Sequence, residues 1–323
     1  MVLFLRIACV LAVAIALGAC TSIGQSSPVP GIATARTPSR ATSAALPLSA
    51  TLPSHIYVTN RTNNTVTAYD ELGNQIALPA GFAQLAGPTA IAYDGHDGLL
   101  YVTNKNNTVT AYDQNGNLAK LPGTFPEIHG PTGIAYDSQN HVLYVANTGV
   151  NMGKVTEYDE QGNQLRANAG GFPNVYGPSG IMYDEHSGTN GLLYVTNEKN
   201  NTVTAYDALG RPQSIPTEMR DLDGPAAIVY NTHNALIYID NFGNNTVTAY
   251  DTLGNEFFLS GGFPQLDGPV AIAFDPRNDT LYVVNSGSST VGAYRDKGSW
   301  RNLPPGSFRN LSGPSGLAIV PQR

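Results

Sequence analysis

Residues 99–137 read LLYVTNKNNTVTAYDQNGNLAKLPGTFPEIHGPTGIAYD, and most of the chain is a set of variations on them. A Tyr-Val-Thr-Asn segment recurs at Tyr57, Tyr101, Tyr144 (as Tyr-Val-Ala-Asn), Tyr194, Tyr238 (as Tyr-Ile-Asp-Asn) and Tyr282 (as Tyr-Val-Val-Asn). A Val-x-x-Tyr segment follows each, ending at Tyr69, Tyr112, Tyr158, Tyr206, Tyr250 and Tyr294. A Gly-Pro dipeptide then opens the next unit, at Gly87, Gly130, Gly177, Gly224, Gly268 and Gly313. Six copies at a period of roughly 43 to 50 residues mark a propeller or a solenoid.

Within a unit, Val, Ile, Tyr and Thr alternate with a period of two, which predicts strands at 130–137, 142–147 and 154–159 and a fourth beginning near Asn163. Asp113-Gln-Asn-Gly116-Asn, Asp159-Glu-Gln-Gly162-Asn and Asp251-Thr-Leu-Gly254-Asn place glycine where a tight hairpin needs positive φ. No stretch keeps a helical period, so the chain is all-β. The repeats begin in a second strand, at His55 to Asn60, and stop in a first strand, at Gly313 to Val320. That offset suits a ring whose C-terminal strand completes a sheet with three N-terminal strands, pairing edges that would otherwise be exposed. The expected architecture over residues 51–323 is a six-bladed β-propeller with four-stranded blades.

The segments Gly-Pro-x-Gly-Ile-Ala-x-Asp, Leu-Tyr-Val-x-Asn and Asn-x-Val-x-x-Tyr-Asp resemble NHL-repeat propellers, and the middle strand is similar to YVTN-type repeats. The resemblance spans all six units. It implies the architecture and leaves function open, because such rings serve as binding platforms, lyases, lactonases and structural parts. One departure stands out. The NHL pattern usually has Asp after the second strand, where this chain has Asn60, Asn104, Asn147, Asn197, Asn241 and Asn285.

Residues 1–19 form a targeting segment with one charge, Arg6, and an apolar run from Ile7 to Leu17. Leu17-Gly18-Ala19-Cys20 resembles the lipobox of bacterial lipoproteins. This implies cleavage before Cys20, lipid (palmitate among it) on that residue, and a membrane-anchored exported protein. Thr21 in place of Asp favours the outer membrane where the host has two. Residues 20–50 hold the lipidated cysteine and a tether rich in Ser, Thr, Ala and Pro, without acidic residues or an apolar period. Cys9 lies in the discarded segment, so the folded part has no cysteine, and packing must supply its stability.

Repeated residues do what every blade needs. The six Asn, the set Asp94, Asp137, Asp184 and Asp275, and the set Phe82, Phe125, Phe172, Phe263 and Phe308 are expected to satisfy turns or wedge between blades. Asn-Asn-Thr at Asn63, Asn106, Asn200 and Asn244 matches glycosylation sequons but reads as turn sequence beside a bacterial lipobox. Informative positions vary inside fixed flanks. Immediately before each Gly-Pro stand Ala86, His129, Tyr176, Asp223, Asp267 and Ser312, which should ring one mouth of the channel. His129, Asp223 and Asp267 could ligate a divalent cation such as calcium, with Tyr176 and Ser312 beside them; the plainer reading is a polar rim around solvent.

No Gly-x-Ser-x-Gly, His-Glu-x-x-His, phosphate loop or cysteine pair occurs, and the calcium-dependent lactonase propellers carry a Glu that this mouth lacks. A net charge of −7 argues against nucleic acid, which needs a basic face. Charged residues make up only 13% of the chain, leaving a neutral, hydrogen-bonding surface suited to a protein or glycan partner. The expectation is a lipid-anchored, non-enzymatic binding platform of the cell envelope. The alternative is a metal-assisted hydrolase, lactonase or lyase working at the channel mouth.

Overall fold

The computed structural model describes residues 53–149, 151–166, 171–188 and 191–322. Cys20, the targeting segment and the tether lie outside them.

The described residues form six antiparallel sheets. The first strands, Pro88–Asp94, Pro131–Asp137, Pro178–Asp184, Pro225–Asn231, Pro269–Asp275 and Pro314–Pro321, each start on the proline of a Gly-Pro, where the missing N–H costs no ladder bond. Each lies against the first strand of the next sheet, and Pro314–Pro321 lies against both Pro269–Asp275 and Pro88–Asp94. Pro314–Pro321 also pairs antiparallel with Ser54–Asn60, in register from Ser54 opposite Pro321 to Thr59 opposite Gly316. The C-terminal strand therefore completes a sheet with the N-terminal strands Ser54–Asn60, Thr65–Tyr69 and Gln75–Ile76.

Outer strands are shorter than the pattern predicts. Gln75–Ile76, Leu118–Ala119 and Pro212–Gln213 give three sheets a two-residue fourth strand. The other three sheets have only a single bridge there, Tyr158 to Gln164, Tyr250 to Glu256 and Tyr294 to Trp300. A short outer edge gives other chains little to pair with.

The core is divided into six apolar layers, each between neighbouring sheets. In five of them a phenylalanine sits between the second-strand tyrosine of one sheet and the third-strand tyrosine of the next. Phe82, for example, has its ring 6.2 Å from Tyr57 and 4.7 Å from Tyr112. Between the fourth and fifth sheets Met219 takes this place, packed with Tyr194 and Tyr250. The buried third-strand tyrosines donate their hydroxyls to the carbonyl just after the wedge: Tyr69 to Arg309, Tyr112 to Ala83, Tyr158 to Pro126, Tyr206 to Pro173, Tyr250 to Arg220 and Tyr294 to Pro264.

The Asp-x-x-Gly turns explain how the wedge fits. Asp113 Oδ1 accepts the N–H groups of Asn115 and Asn117, and Gly116 adopts φ +85°. A Cβ on Gly116 would stand 2.8 Å from the Phe82 ring, so this glycine supplies both the left-handed turn and the room for the wedge.

Candidate functional site

The six positions before Gly-Pro share one backbone bond. The N–H groups of Ala86, His129, Tyr176, Asp223, Asp267 and Ser312 donate to Oδ1 of Asn104, Asn147, Asn197, Asn241, Asn285 and Asn60, at 2.9 to 3.2 Å. The same buried asparagines donate from Nδ2 to a third-strand threonine, as Asn147 does to Thr156 and Asn241 to Thr248. Five of them also donate to the carbonyl two residues back. One side chain must accept and donate at once, which an ionised aspartate cannot do, and this accounts for Asn where the NHL pattern has Asp.

At this rim His129, Tyr176, Asp223 and Asp267 are exposed, and Ala86 and Ser312 are half-buried. The Asp223 carboxylate lies over Gly243 and that of Asp267 over Gly287, each a turn of its own sheet; a Cβ there would meet the carboxylate at 2.6 and 2.5 Å. Among the described residues, groups of three or more His, Cys, Asp or Glu whose ligand atoms all lie within 4.8 Å do not include His129, Asp223 or Asp267. Three exposed apolar side chains stand beside the rim. Tyr176 is one of its six, Phe242 follows Asn241, and Met152 accepts the Gly177 N–H on its carbonyl.

The cavity at the centre measures about 80 Å³ and is lined by all six first strands. Ile91, Ile134, Ile181, Ile228, Ile272 and Leu317 line it, with Ala and Gly beside them. At about 30 Å³ per water it holds two or three, far less than the hundreds of Å³ of a substrate site. The glycines mark close approach of the strands: a Cβ on Gly180 would stand 2.7 Å from Ala227, and one on Gly316 2.8 Å from Ala90. Thr132 and Ser315 tie neighbouring first strands through bonds to the carbonyls of Pro178 and Pro88, at 2.6 and 2.7 Å.

The opposite rim, where first strands turn into second ones, carries a cluster that reading the sequence missed. Glu160 Oε1 lies 2.9 Å from His141 Nδ1 and 3.1 Å from His96 Nδ1, and accepts the Tyr136 hydroxyl at 2.6 Å. The two imidazole rings are 4.3 Å apart. His96 Nδ1 also approaches Asp97 Oδ1 at 3.3 Å. Beneath them Asp94 is fully buried and accepts the N–H groups of His96 and Asp97. Burial pushes the Glu160 carboxyl up, but the bonds from Tyr136 and His141 and the two nearby imidazoles outweigh it and hold it below its usual value. Burial wins at Asp94 and raises it, against the His96 N–H, the Tyr136 hydroxyl and the Asp97 N–H. The signal available in sequence was Glu160 inside a turn with recurrent flanks, whereas His96 and His141 sit in turns that differ from unit to unit. His96 belongs to the second sheet and Glu160 to the third, so it emerges only when adjacent units are compared.

Two further carboxyls break the repeat inside the molecule. Glu157 stands where the other third strands have Ala68, Ala111, Ala205, Ala249 and Ala293. Burial pushes it up to about 7, opposed by the Arg166 guanidinium, whose Nε lies 2.8 Å away. It faces a cavity of about 410 Å³ shared with Lys154, Phe172 and Arg211. Asp240 replaces the second-strand threonine, is fully buried, and bonds through neither carboxylate oxygen.

Residues 157–306 match the family described as lactonase, 7-bladed β-propeller. That family has seven blades, whereas the described residues form six sheets. No curated protein matches the chain in sequence. Among solved structures the chain is similar to one in the crystal structure of a nidogen/laminin complex, with TM-score 0.64 and 14% identity over 83% of this chain and 98% of that one. It is also similar to a protein of unknown function from Bacteroides caccae, with TM-score 0.58 and 11% identity over 84% of this chain and 100% of that one. At such identities the likeness is one of fold. The class it defines, with the radial sheets above, is that of β-propeller proteins.

Proposed function

We propose that this β-propeller is a non-enzymatic binding platform, anchored in the cell envelope through lipid on Cys20, whose Gly-Pro face docks a protein partner. Six blades closed by Pro314–Pro321 suit the sheet count and the pairing of that strand with Ser54–Asn60. The carrying observation is the Gly-Pro face itself. Met152, Tyr176 and Phe242 are exposed there beside His129, Asp223 and Asp267, while the channel behind is filled by aliphatic side chains. Aromatic anchors within a polar rim are the composition of protein interfaces. A photo-crosslinking residue at Tyr176 or Phe242 of the full chain should trap one protein in detergent-solubilised membranes, and one at Leu72 should not. Equal or absent trapping from both positions would refute the reading. Labelled palmitate should enter the chain and be lost in Cys20→Ala.

A second reading is favoured by the lactonase match over residues 157–306, which hold Tyr176, Asp223 and Asp267. Here the channel mouth would bind a divalent cation such as calcium and hydrolyse a lactone or a related ester, with His129 as base. Lactone turnover that needs added cation and disappears in both Asp223→Ala and Asp267→Ala would replace the first reading; no turnover would remove the second.

A further inference from the structure

Glu160 Oε1 has three polar neighbours within 3.1 Å, the Nδ1 atoms of His96 and His141 and the hydroxyl of Tyr136. The Tyr136 hydroxyl donates to that oxygen and also lies 3.0 Å from His141 Nδ1, so three polar atoms crowd around a carboxylate oxygen with about two lone-pair sites. Two of the three are imidazole nitrogens, which serve a metal as readily as a proton. Ligand atoms about 2.0–2.2 Å from a tetrahedral ion stand about 3.3 Å from one another. The two His96 and His141 contacts to Glu160 measure 3.1 and 2.9 Å, and all three ligand atoms lie within 4.8 Å of one another. Shifts of a few tenths of an ångström in two exposed imidazoles would open room for the ion.

A second observation points the same way. Asp94, Asp97 and Glu160 also bring ligand atoms within 4.8 Å of one another. Asp94 is fully buried, and its Oδ2 makes no hydrogen bond, the nearby Tyr136 hydroxyl being directed to Glu160. A buried carboxylate oxygen without a donor is costly unless a cation serves it. We propose that His96, His141 and Glu160 bind one borderline divalent cation of the zinc type between the second and third sheets. Asp94 and Asp97 add negative charge beside it. Tyr136, donating to Glu160, orients the carboxylate, as outer-shell partners of metal ligands do. With three protein ligands and half-exposed histidines, the fourth position is open to water. The site lies on the rim opposite Gly-Pro and is independent of the proposed docking face.

The test is calorimetric titration of the full, untagged, metal-stripped chain in detergent with zinc, manganese and calcium chlorides. Zinc should bind one to one and tighter than manganese, with calcium weakest, as nitrogen ligands dictate. His96→Ala and His141→Ala, both at exposed side chains, should each weaken zinc tenfold or more, and His129→Ala should leave it unchanged. Zinc should also raise the melting temperature of the parent chain and not of His141→Ala. The proposal is overturned by no zinc heat, by calcium binding more tightly than zinc, or by binding that survives both histidine variants. Binding lost instead in Asp223→Ala would also overturn it.

Discussion

Replacing Asp240 by valine should stabilise the fold, and the gain should grow with pH. Asp240 stands between Ala227 and Val247 on the strands either side, and both its oxygens are buried without partners. In the next sheet Val284 occupies the same place, between Ala271 and Val291. The chain therefore already builds the substituted arrangement once, and valine meets no new shape. Burial raises the Asp240 carboxyl well above its ordinary value, so the folded state keeps a proton that the unfolded chain releases. Where the folded state binds more protons, stability falls as pH rises. It is fully present below the unfolded value near 4 and is lost at about 1.4 kcal/mol per pH unit until the folded value is passed. The unbonded neutral carboxyl adds about 1–3 kcal/mol at any pH. Asp240→Val should then exceed the parent by that amount near pH 4 and by progressively more towards neutrality. Urea unfolding followed by tyrosine and tryptophan fluorescence between pH 4.5 and 8 measures the gap. Asp240→Asn separates the two contributions, since it cannot ionise but still buries unbonded polar atoms: it should flatten the pH dependence without the constant gain. A valine variant less stable than the parent, or a gap that does not change with pH, would refute the reasoning.

Three other outcomes follow from the packing. Phe125→Ala, which empties the wedge between Tyr101 and Tyr158, should cost about 3–5 kcal/mol in chemical unfolding. Ending the chain before Gly313 removes the strand paired with Ser54–Asn60, and the truncated protein should melt well below the parent or lose its single cooperative transition by calorimetry. Glu157→Gln should remove a loss of stability of about 3 kcal/mol between pH 4.5 and about 7, because burial raises that carboxyl and its proton is held longer in the folded state. The difference between the two unfolding profiles across that window is the measurement.

The parts of the fold legible in the sequence are those that every sheet must repeat. Tyr101 and Tyr112, Asn104, Gly116 and Phe125 recur because each neighbouring pair of sheets needs a wedge, a left-handed turn and an asparagine that bonds in both directions. The same demand can be met by another side chain, which is why Met219 hid the sixth wedge from a pattern written in phenylalanines. The outer strands were poorly legible for a different reason. They are edges with one partner, so little in their sequence is constrained, and three shrink to single bridges.

The candidate sites divide along the same line. The residues before Gly-Pro were found because their flanks are constant, but those flanks hold only the backbone: Asn241 and Asn285 fix the N–H groups of Asp223 and Asp267 while each carboxylate settles over a glycine of its own sheet. Repetition of the frame thus carries no guarantee that side chains from different blades converge. Convergence at the other rim comes from a lateral contact between two neighbouring sheets, in which His96 from one leans onto Glu160 of the next, 64 residues further along. Asp223 and Asp267 stand on neighbouring sheets too, but each folds over a turn of its own sheet, whereas His96 crosses the seam to the next one. Asymmetry confined to one pair of blades is therefore the better guide to chemistry in this chain than asymmetry spread around the ring.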